Sequence, residues 1–218
     1  MIGLLKKDFF ILWHAYHKNL ALVLVLYSVI ALAMDLTFMV FFFAWISGFY
    51  ILSGLTIDNY SKWDLYAASL PVSKRQIVGA KFILITLALL ISFVIGTLLC
   101  GLLTLLKGTP FLENLLSLFA VSFVCLAYFG VSLVLSYKYG VEKARTAVLL
   151  AAAAVFGCLF ALGKLDLLQS FALPPLLQTL FLGDLAIWGW AVVMPVCCIL
   201  VYLLCWAIAT RIYSRKEF

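Results

Sequence analysis

The sequence predicts an all-α, polytopic membrane protein with six transmembrane helices. Hydrophobic residues make up 67% of its 218 residues, charged residues only 11%, and the mean hydropathy is +1.21. Soluble domains have a much smaller apolar fraction. The apolar runs are long and continuous, as spanning helices of about 20 residues require, and they lack the alternation of barrel strands. We therefore expect a single transmembrane domain over residues 1–218.

The first predicted element is an amphipathic helix over residues 1–19 that lies in the cytoplasmic membrane interface. At 100° per residue, Phe9, Trp13 and Tyr16 share a side with other apolar residues, while most of the lysines and both histidines lie opposite. On such a helix the aromatic side chains enter the acyl chains and the cations face the headgroups. These residues should anchor the helix, and contact with a partner protein is an open alternative.

Six apolar runs bounded by polar residues are the predicted spans: residues 20–34, 36–57, 82–106, 115–137, 146–162 and 186–210. Residues 164–184 separate the last two and contain Pro174 and Pro175. Adjacent prolines remove two backbone donors and break a spanning helix. We therefore expect this segment to form short extracellular helices that are interfacial or re-entrant.

The distribution of positive charge predicts the orientation. Thirteen of the 15 lysine and arginine residues lie on one side of this topology, and only Lys107 and Lys164 lie on the other. Because cytoplasmic segments carry the excess of lysine and arginine, both termini should be cytoplasmic. A seventh span through Pro174 would put the basic C-terminal tail outside. The net charge of +6 therefore reflects topology, and no basic soluble face with aromatic residues favours nucleic-acid binding.

Neither a catalytic site nor a metal site is expected. The six cysteines fall within predicted spans without CxxC spacing, and the only histidines, His14 and His17, have no third ligand nearby. HExxH and GxSxG motifs are absent. The predicted spans hold almost no ionisable side chains, which disfavours an ion-coupled carrier. The chain also has no GxxxxGK[ST] loop, so if ATP drives it, the ATPase is a separate chain.

The longest polar break, residues 58–81, reads DNYSKWDLYAASLPVSKRQIVGAK and lies between two long apolar runs. Charge places it in the cytoplasm, where a soluble partner could bind. Pro71 should end one helix and Ser73 can cap the next. The alternative is a plain interfacial loop, but Asp58 and Asp64 contribute neither to an aromatic belt nor to the charge asymmetry. The candidate contact residues are Asp58, Tyr60, Lys62, Trp63, Asp64, Leu65, Tyr66, Pro71, Ser73, Lys74 and Arg75.

Within this break, the segment SKWDLYAASLPVSKRQIVGAKF resembles the signature region of ABC transporter permeases of the type-2 exporter class. Those permeases often have an acidic or aromatic cluster, then a SLPVS(K/R)(R/K)xI pattern, then a basic residue before the third span. Here Ser69 to Ile77 match the pattern and Lys81 follows. The opening LLKKDF, residues 4–9, is likewise similar to the start of small six-span members, including bacterial peptide and antibiotic exporter permeases.

The resemblance implies both the partners and the role of the polar break. Two cytosolic ATPase subunits would carry ATP and Mg²⁺, and a helix of residues 58–81 would dock in a groove of the ATPase and couple its closure to the spans. The chain itself would bind no cofactor and catalyse no reaction. A second permease, identical or homologous, would pair with it in a bacterial plasma membrane. Small residues of the second span would contribute weakly to that pairing: Ser47, Gly48, Ser53 and Gly54.

The expected cargo is a hydrophobic or amphipathic molecule, such as a membrane-active peptide, an antibiotic or a lipid-like molecule. A strongly charged cargo would need buried partners in the spans. Outward transport is implied by the resemblance alone. Two alternatives stay open: a non-transporting scaffold or sensor partner that keeps the docking loop, and an ion-coupled carrier, for which buried charge or an internal repeat is expected.

Overall fold

The computed structural model describes residues 2–34, 39–68, 72–164 and 192–215, and their regular structure is helical throughout. The all-helical class predicted from the sequence is therefore confirmed. The predicted extracellular segment 164–184 lies outside the described residues, except Lys164 at the end of a helix. The helices are α1 (Ile2–Met34), α2 (Met39–Tyr60), α3 (Trp63–Ala68), α4 (Lys74–Lys107), α5 (Phe111–Tyr139), α6 (Val141–Lys164) and α7 (Met194–Ser214).

The first helix combines two elements that were predicted to be separate. α1 is continuous over 33 residues, and at 1.5 Å per residue it is about 50 Å long, which exceeds the bilayer core of about 30 Å. No glycine or proline occurs from Leu4 to Met34, so no residue in that range interrupts the helix by its backbone chemistry. The predicted interfacial helix and the predicted first span therefore form one continuous helix.

α1 packs antiparallel along α2. The Tyr16 ring lies 4.7 Å from the Tyr50 ring, and the Tyr27 ring lies 6.1 Å from the Phe42 ring. Leu12 of α1 lies close to Gly54 of α2. A Cβ atom added to Gly54 would be 3.1 Å from the Cδ2 atom of Leu12. The two helices therefore stay side by side over most of their length.

The core lies between α2, α4, α5 and α7, where two glycines admit aromatic rings. A Cβ at Gly48 would lie 2.1 Å from Phe129 Cε2, and one at Gly130 would lie 2.7 Å from Tyr202 Cδ2. The Tyr202 hydroxyl donates a hydrogen bond of 2.7 Å to the Phe82 carbonyl oxygen. These contacts fix α5 between α2 and α7, and join α7 to α4.

Four described helices are long and apolar enough to cross a membrane: Gly3–Ala33, Lys74–Lys107, Phe111–Tyr139 and Met194–Ser214. They overlap the predicted first, third, fourth and sixth spans. The described residues of the predicted second and fifth spans are helical too, in α2 and α6. A multi-pass membrane protein is therefore confirmed, while six spans and cytoplasmic termini stay predictions.

The two ends of the polar break, Asp58 and Lys81, contact each other. Asp58 belongs to the end of α2, and Lys81 is the eighth residue of α4. Between them lies α3, a helix of six residues. The site described next is built where these helices meet the start of α1.

Candidate functional site

Two lysines and two aspartates form a closed ion cluster where α1, α2 and α4 meet. Lys7 Nζ lies 3.1 Å from Asp8 Oδ1 and 2.9 Å from Asp58 Oδ1. Lys81 Nζ lies 2.8 Å from Asp8 Oδ2 and 2.5 Å from Asp58 Oδ2. Each lysine therefore contacts both carboxylates, and each carboxylate offers one oxygen to each lysine. These four residues are called the charge ring below.

Helix positions explain why the four charges gather. Asp58 lies in the last turn of α2, beside the negative end of the helix dipole, where a carboxylate is disfavoured unless a cation accompanies it. Lys81 in α4 supplies one cation, and Lys7 in α1 supplies the other. Asp8, the residue after Lys7 in α1, brings the formal charge of the cluster to zero. The ring therefore joins three helices without a net formal charge.

Burial makes the ring sensitive to the loss of any member. The exposed fraction of the side chain is 5% for Asp8, 10% for Asp58, 7% for Lys81 and 22% for Lys7. An intact buried ion pair adds little net stability, because desolvation offsets the attraction. Removing one partner leaves a buried charge uncompensated and typically costs about 3–5 kcal/mol. The intact ring therefore adds little stability, whereas the loss of one member is costly.

Lys7 also connects the ring to α3. Its Nζ atom lies 3.6 Å from the centroid of the Trp63 ring, a cation–π contact. Trp63 is the first residue of α3 and is half-buried, and its ring lies 5.3 Å from that of Tyr66. Ala67, one turn further along, is buried. The inner side of α3 is therefore held by Trp63 and Ala67, while Tyr66 faces outward with 58% of its surface exposed.

A tight corner joins α2 to α3. Lys62 has a φ of +51°, the one non-glycine positive φ among the described residues. Its amide donates to the Asn59 carbonyl oxygen at 3.2 Å, and the Ser61 hydroxyl donates to the Asp58 carbonyl oxygen at 3.1 Å. These bonds hold the corner in a left-handed conformation that a lysine adopts only at a cost of about 1 kcal/mol or more. Tyr60 projects from it with 83% of its surface exposed.

The start of α4 is capped as the sequence suggests. Ser73 is the N-cap, its hydroxyl oxygen accepts from the Gln76 amide at 3.3 Å, and the Gln76 side chain accepts from the Ser73 amide at 3.3 Å. Lys74 donates to the Ser214 carbonyl oxygen of α7 at 3.1 Å. Arg75 is exposed and borders an open cleft along α7 that also contains Arg211.

A small cavity of about 50 Å³ lies beside the ring. Asp58 and Lys81 form one side of it, and the junction of α5 and α6 forms the other. That junction turns at Gly140, whose φ of +87° favours glycine. The remaining lining residues are Leu55, Asn59, Trp63, Ile77, Ser136, Tyr137 and Val141. The ring therefore also lies close to the junction of α5 and α6.

The predicted contact residues divide into three groups. Asp58 and Trp63 are brought together by Lys7. The outward-facing group is Tyr60, Lys62 and Tyr66, and the group at the start of α4 is Ser73, its N-cap, with Lys74 and Arg75, which lie beside α7. The side chains of Asp64 and Leu65, and the whole of Pro71, lie outside the described part of the chain.

The small-residue patch of α2 is occupied by other helices of the same chain. The contacts are Ser47 Oγ to Ser92 Oγ at 2.8 Å, Gly48 against the Phe129 ring, Ser53 Oγ accepting from Arg145 Nη2 at 3.1 Å, and Gly54 against Leu12. Ser47 and Ser92 are both buried. The predicted role of this patch in pairing with a second permease stays a prediction.

The aromatic residues predicted to anchor the N-terminal helix have different neighbours. Phe9 and Trp13 are exposed, and their rings stack at 5.9 Å; the Trp13 and His17 rings stack at 5.8 Å. Tyr16 instead packs on Tyr50 of α2. This run of stacked rings follows the exposed side of α1.

The pairing of Asp58 with Lys7 and Lys81, and of both lysines with Asp8, was not predicted from the sequence. A usable signal was present, because all four charges lie on the predicted cytoplasmic side and their formal charges cancel. Which charges pair depends on the register of α1 against α2 and α4, which periodicity does not give.

Comparison with known proteins gives one match. A family model described as ABC-2 family transporter protein matches residues 3–214, a range that includes the ring, α3 and all of α4, α5 and α6. No curated protein and no solved structure matches the chain significantly.

Proposed function

The chain belongs to the ABC-2 family of transporter proteins, and we propose that it is the permease subunit of an ATP-driven exporter. Two cytosolic ATPase subunits would bind ATP and Mg²⁺, since this chain has no P-loop. A second permease, identical or homologous, would pair with it. The assembly would lie in a bacterial plasma membrane with both termini of this chain in the cytoplasm, in keeping with the distribution of basic residues.

The observation that carries this proposal is the pair of contacts that Lys7 makes with Trp63 and Asp58. A partner that pushes on α3 would press Trp63 against Lys7, and Lys7 belongs to a ring that joins α1, α2 and α4. Packed and ion-paired elements transmit a displacement as a rigid body, whereas a flexible loop absorbs it. The geometry therefore suits a helix that converts a push from the cytosol into movement of three helix ends.

The outer side of this corner is suited to binding the ATPase. Tyr60 and Tyr66 are exposed large residues, and Lys62 lies exposed between them. Aromatic side chains often supply the largest contributions to an interface. We assign docking to this outer side and transmission to the inner side, where Trp63 and Ala67 contact the rest of the chain.

The cargo in this proposal is hydrophobic or amphipathic. An open groove of about 460 Å³ runs between α4, α5 and α7. Its lining is largely apolar and includes Leu90, Phe93, Phe119, Phe123 and Leu203. Such a surface accommodates an apolar molecule that enters from the membrane.

The deciding experiment joins co-purification with ATP hydrolysis. The chain is reconstituted with its ATPase, and Trp63→Ala is compared with Trp206→Ala, which removes another partly exposed tryptophan, on α7. We expect Trp63→Ala to lower cargo-stimulated hydrolysis about tenfold, because it removes the cation–π contact with Lys7, which contributes up to about 2 kcal/mol. Trp206→Ala should change it less than about twofold. Unchanged hydrolysis and binding in Trp63→Ala would show that α3 does not couple the subunits.

One observation favours a second candidate, an ion-coupled carrier. Asp8, Asp58 and Lys81 are buried, and buried ionisable groups are what such carriers use as relays. Their mutual pairing at the ends of the helices favours a structural role instead. In inside-out vesicles supplied with ATP, a protonophore should leave cargo uptake unchanged for the exporter and stop it for the carrier.

A further inference from the structure

The register of α1 places part of its polar surface at the depth of the membrane core. The charge ring marks the predicted cytoplasmic boundary, because Asp58 follows one predicted span and Lys81 precedes the next. Lys18 lies eleven residues beyond Lys7 in the same helix, about 16 Å along its axis. That is about half of a hydrocarbon core of about 30 Å.

Contacts with two neighbouring helices support this depth. Tyr16 packs on Tyr50, so Lys18 is level with the middle of α2. The pairing of Asp8 with Lys81 in parallel helices puts Lys18 level with Ile91 of α4. Ile91 is 55% exposed, as expected of a side chain that faces lipid. The N-terminal polar residues of α1 therefore continue into the membrane beside α2 rather than lying across its surface.

Three polar side chains share one face of this part of α1. His14, His17 and Lys18 are spaced i, i+3 and i+4, which places them together on a helix. His14 and Lys18 are exposed, and the His17 ring hydrogen-bonds the Trp13 carbonyl oxygen at 2.7 Å. Among the described residues, Lys18 forms no ion pair.

An exposed lysine at this depth is unfavourable in lipid. Charged groups in the core of a bilayer are rare, and those that occur face water-filled cavities or charged partners. Among the acids whose side chains the structure describes, none lies at this depth in a second identical chain, because they lie near helix ends: Asp8, Asp58, Glu113 and Glu142. In a dimer whose twofold axis runs beside α1, the two Lys18 cations would also lie close to each other.

We propose that the His14–Lys18 face of α1 lines a hydrated part of the transport path and binds the anionic group, a carboxylate or phosphate, of an amphipathic cargo. This rests on the proposed function, since it assumes that a cargo passes the chain. Lys18 supplies the charge, and the exposed rings of Phe10 and Trp13 on adjoining positions offer apolar contact. The site narrows the cargo from amphipathic molecules in general to those with a negative group.

The first test measures hydration with single cysteines. In the full chain with its six native cysteines replaced by alanine, His14→Cys and Lys18→Cys are compared with Ile91→Cys, which lies at the same depth in α4. A water-soluble thiol reagent should modify the two α1 positions at least about tenfold faster, because the reactive thiolate forms in water. Equally slow reaction at all three positions would overturn the proposal.

The second test measures whether this face of α1 reacts faster with an anionic reagent than with a cationic one. In His14→Cys, with Lys18 intact, an anionic thiol reagent should react about tenfold faster than its cationic analogue, the size expected for one screened charge contact. Lys18→Gln in the same chain should abolish the preference, and Lys18→Arg should keep it. A preference that survives Lys18→Gln would overturn the role of Lys18.

A third measurement identifies the occupant. A photoreactive dodecyl phosphate should label α1 and should fail to do so in Lys18→Gln. Displacement by phosphatidylglycerol at membrane concentrations would make the face a lipid site, and efficient crosslinking of Lys18→Cys between two chains would make it a contact between permeases. Either result overturns the cargo assignment. No ATPase is present, so these results are independent of whether ATP-driven transport occurs.

Discussion

The ammonium group of Lys7 lies over the Trp63 ring, 3.6 Å from its centroid. The two residues are far apart in sequence and belong to α1 and α3. A cation in this position is attracted to the face of an indole ring, by about 0.5–2 kcal/mol depending on its exposure. The short helix α3 is therefore tied to the first helix of the chain as well as to the helices on either side of it.

Replacing Lys7 should destabilise the protein much more than replacing its neighbour Lys6. Lys7→Met leaves Asp8 and Asp58 with a single cation, and we expect a loss of about 3 kcal/mol in the free energy of unfolding. Lys6 is exposed and outside the ring, so Lys6→Met should change the free energy of unfolding by less than about 0.5 kcal/mol. Reversible unfolding in mixed micelles measures both. Equal effects would mean that the ring does not hold α1.

Removing two opposite charges from the ring should cost less than the sum of removing each. Asp58→Asn and Lys81→Met each leave a net charge, whereas the double variant keeps the pair of Lys7 and Asp8. We expect a coupling energy of at least about 2 kcal/mol in a double-mutant cycle of unfolding free energies. Asp58→Asn combined with Lys107→Met, at the far end of α4, should be additive within about 0.5 kcal/mol. Additivity in both cycles would contradict the ring.

Gly48 should tolerate no side chain. A Cβ in Gly48→Ala would lie 2.1 Å from the Phe129 ring, so α2 and α5 must separate or the ring must move. Overpacking of this kind costs about 1–3 kcal/mol. Gly101→Ala is the matched control, since a Cβ there meets no atom within 4 Å. Thermal unfolding should show a lower midpoint for Gly48→Ala and an unchanged or higher one for Gly101→Ala, and the reverse order would show that the α2–α5 contact is looser than described.

Ser73→Ala should loosen the start of α4. Loss of the hydroxyl leaves the Gln76 amide without its cap, at a cost of about 1 kcal/mol. Amide hydrogen exchange of Gln76 and Ile77, which bond to Ser73, should be about fivefold faster, the factor that corresponds to about 1 kcal/mol. Ser73→Asp should restore protection, because aspartate caps equally well. If both variants exchange like the wild type, the cap does not hold this turn.

The helical class and the cap of α4 could be predicted because they depend on local chemistry. Continuous apolar runs have few structures available in lipid, and Ser73 with Gln76 three residues later is a capping box readable in sequence. The helix α3 was predicted only as a short element before Pro71. Its inner contact, Trp63 with Lys7, required the position of α1.

Contacts between distant segments could not be predicted because they depend on register. The polar-to-apolar change after Asn19 suggested a separate interfacial helix, yet α1 continues through it beside α2. Small residues such as Gly48 suggested a helix–helix contact, which is present, but with α5 of the same chain. Hydropathy records how apolar a segment is and gives no information on which neighbour compensates its polar residues.

The closure of the charge ring has a consequence for the order of biosynthesis. Lys7 and Asp8 leave the ribosome first as a neutral adjacent pair, Asp58 follows and adds a negative charge, and only Lys81 restores neutrality. Chains are made from the N-terminus, so helices α1 and α2 carry an uncompensated acid until α4 is inserted. A nascent chain that stops before Lys81 therefore keeps the Asp58 carboxylate without this cation.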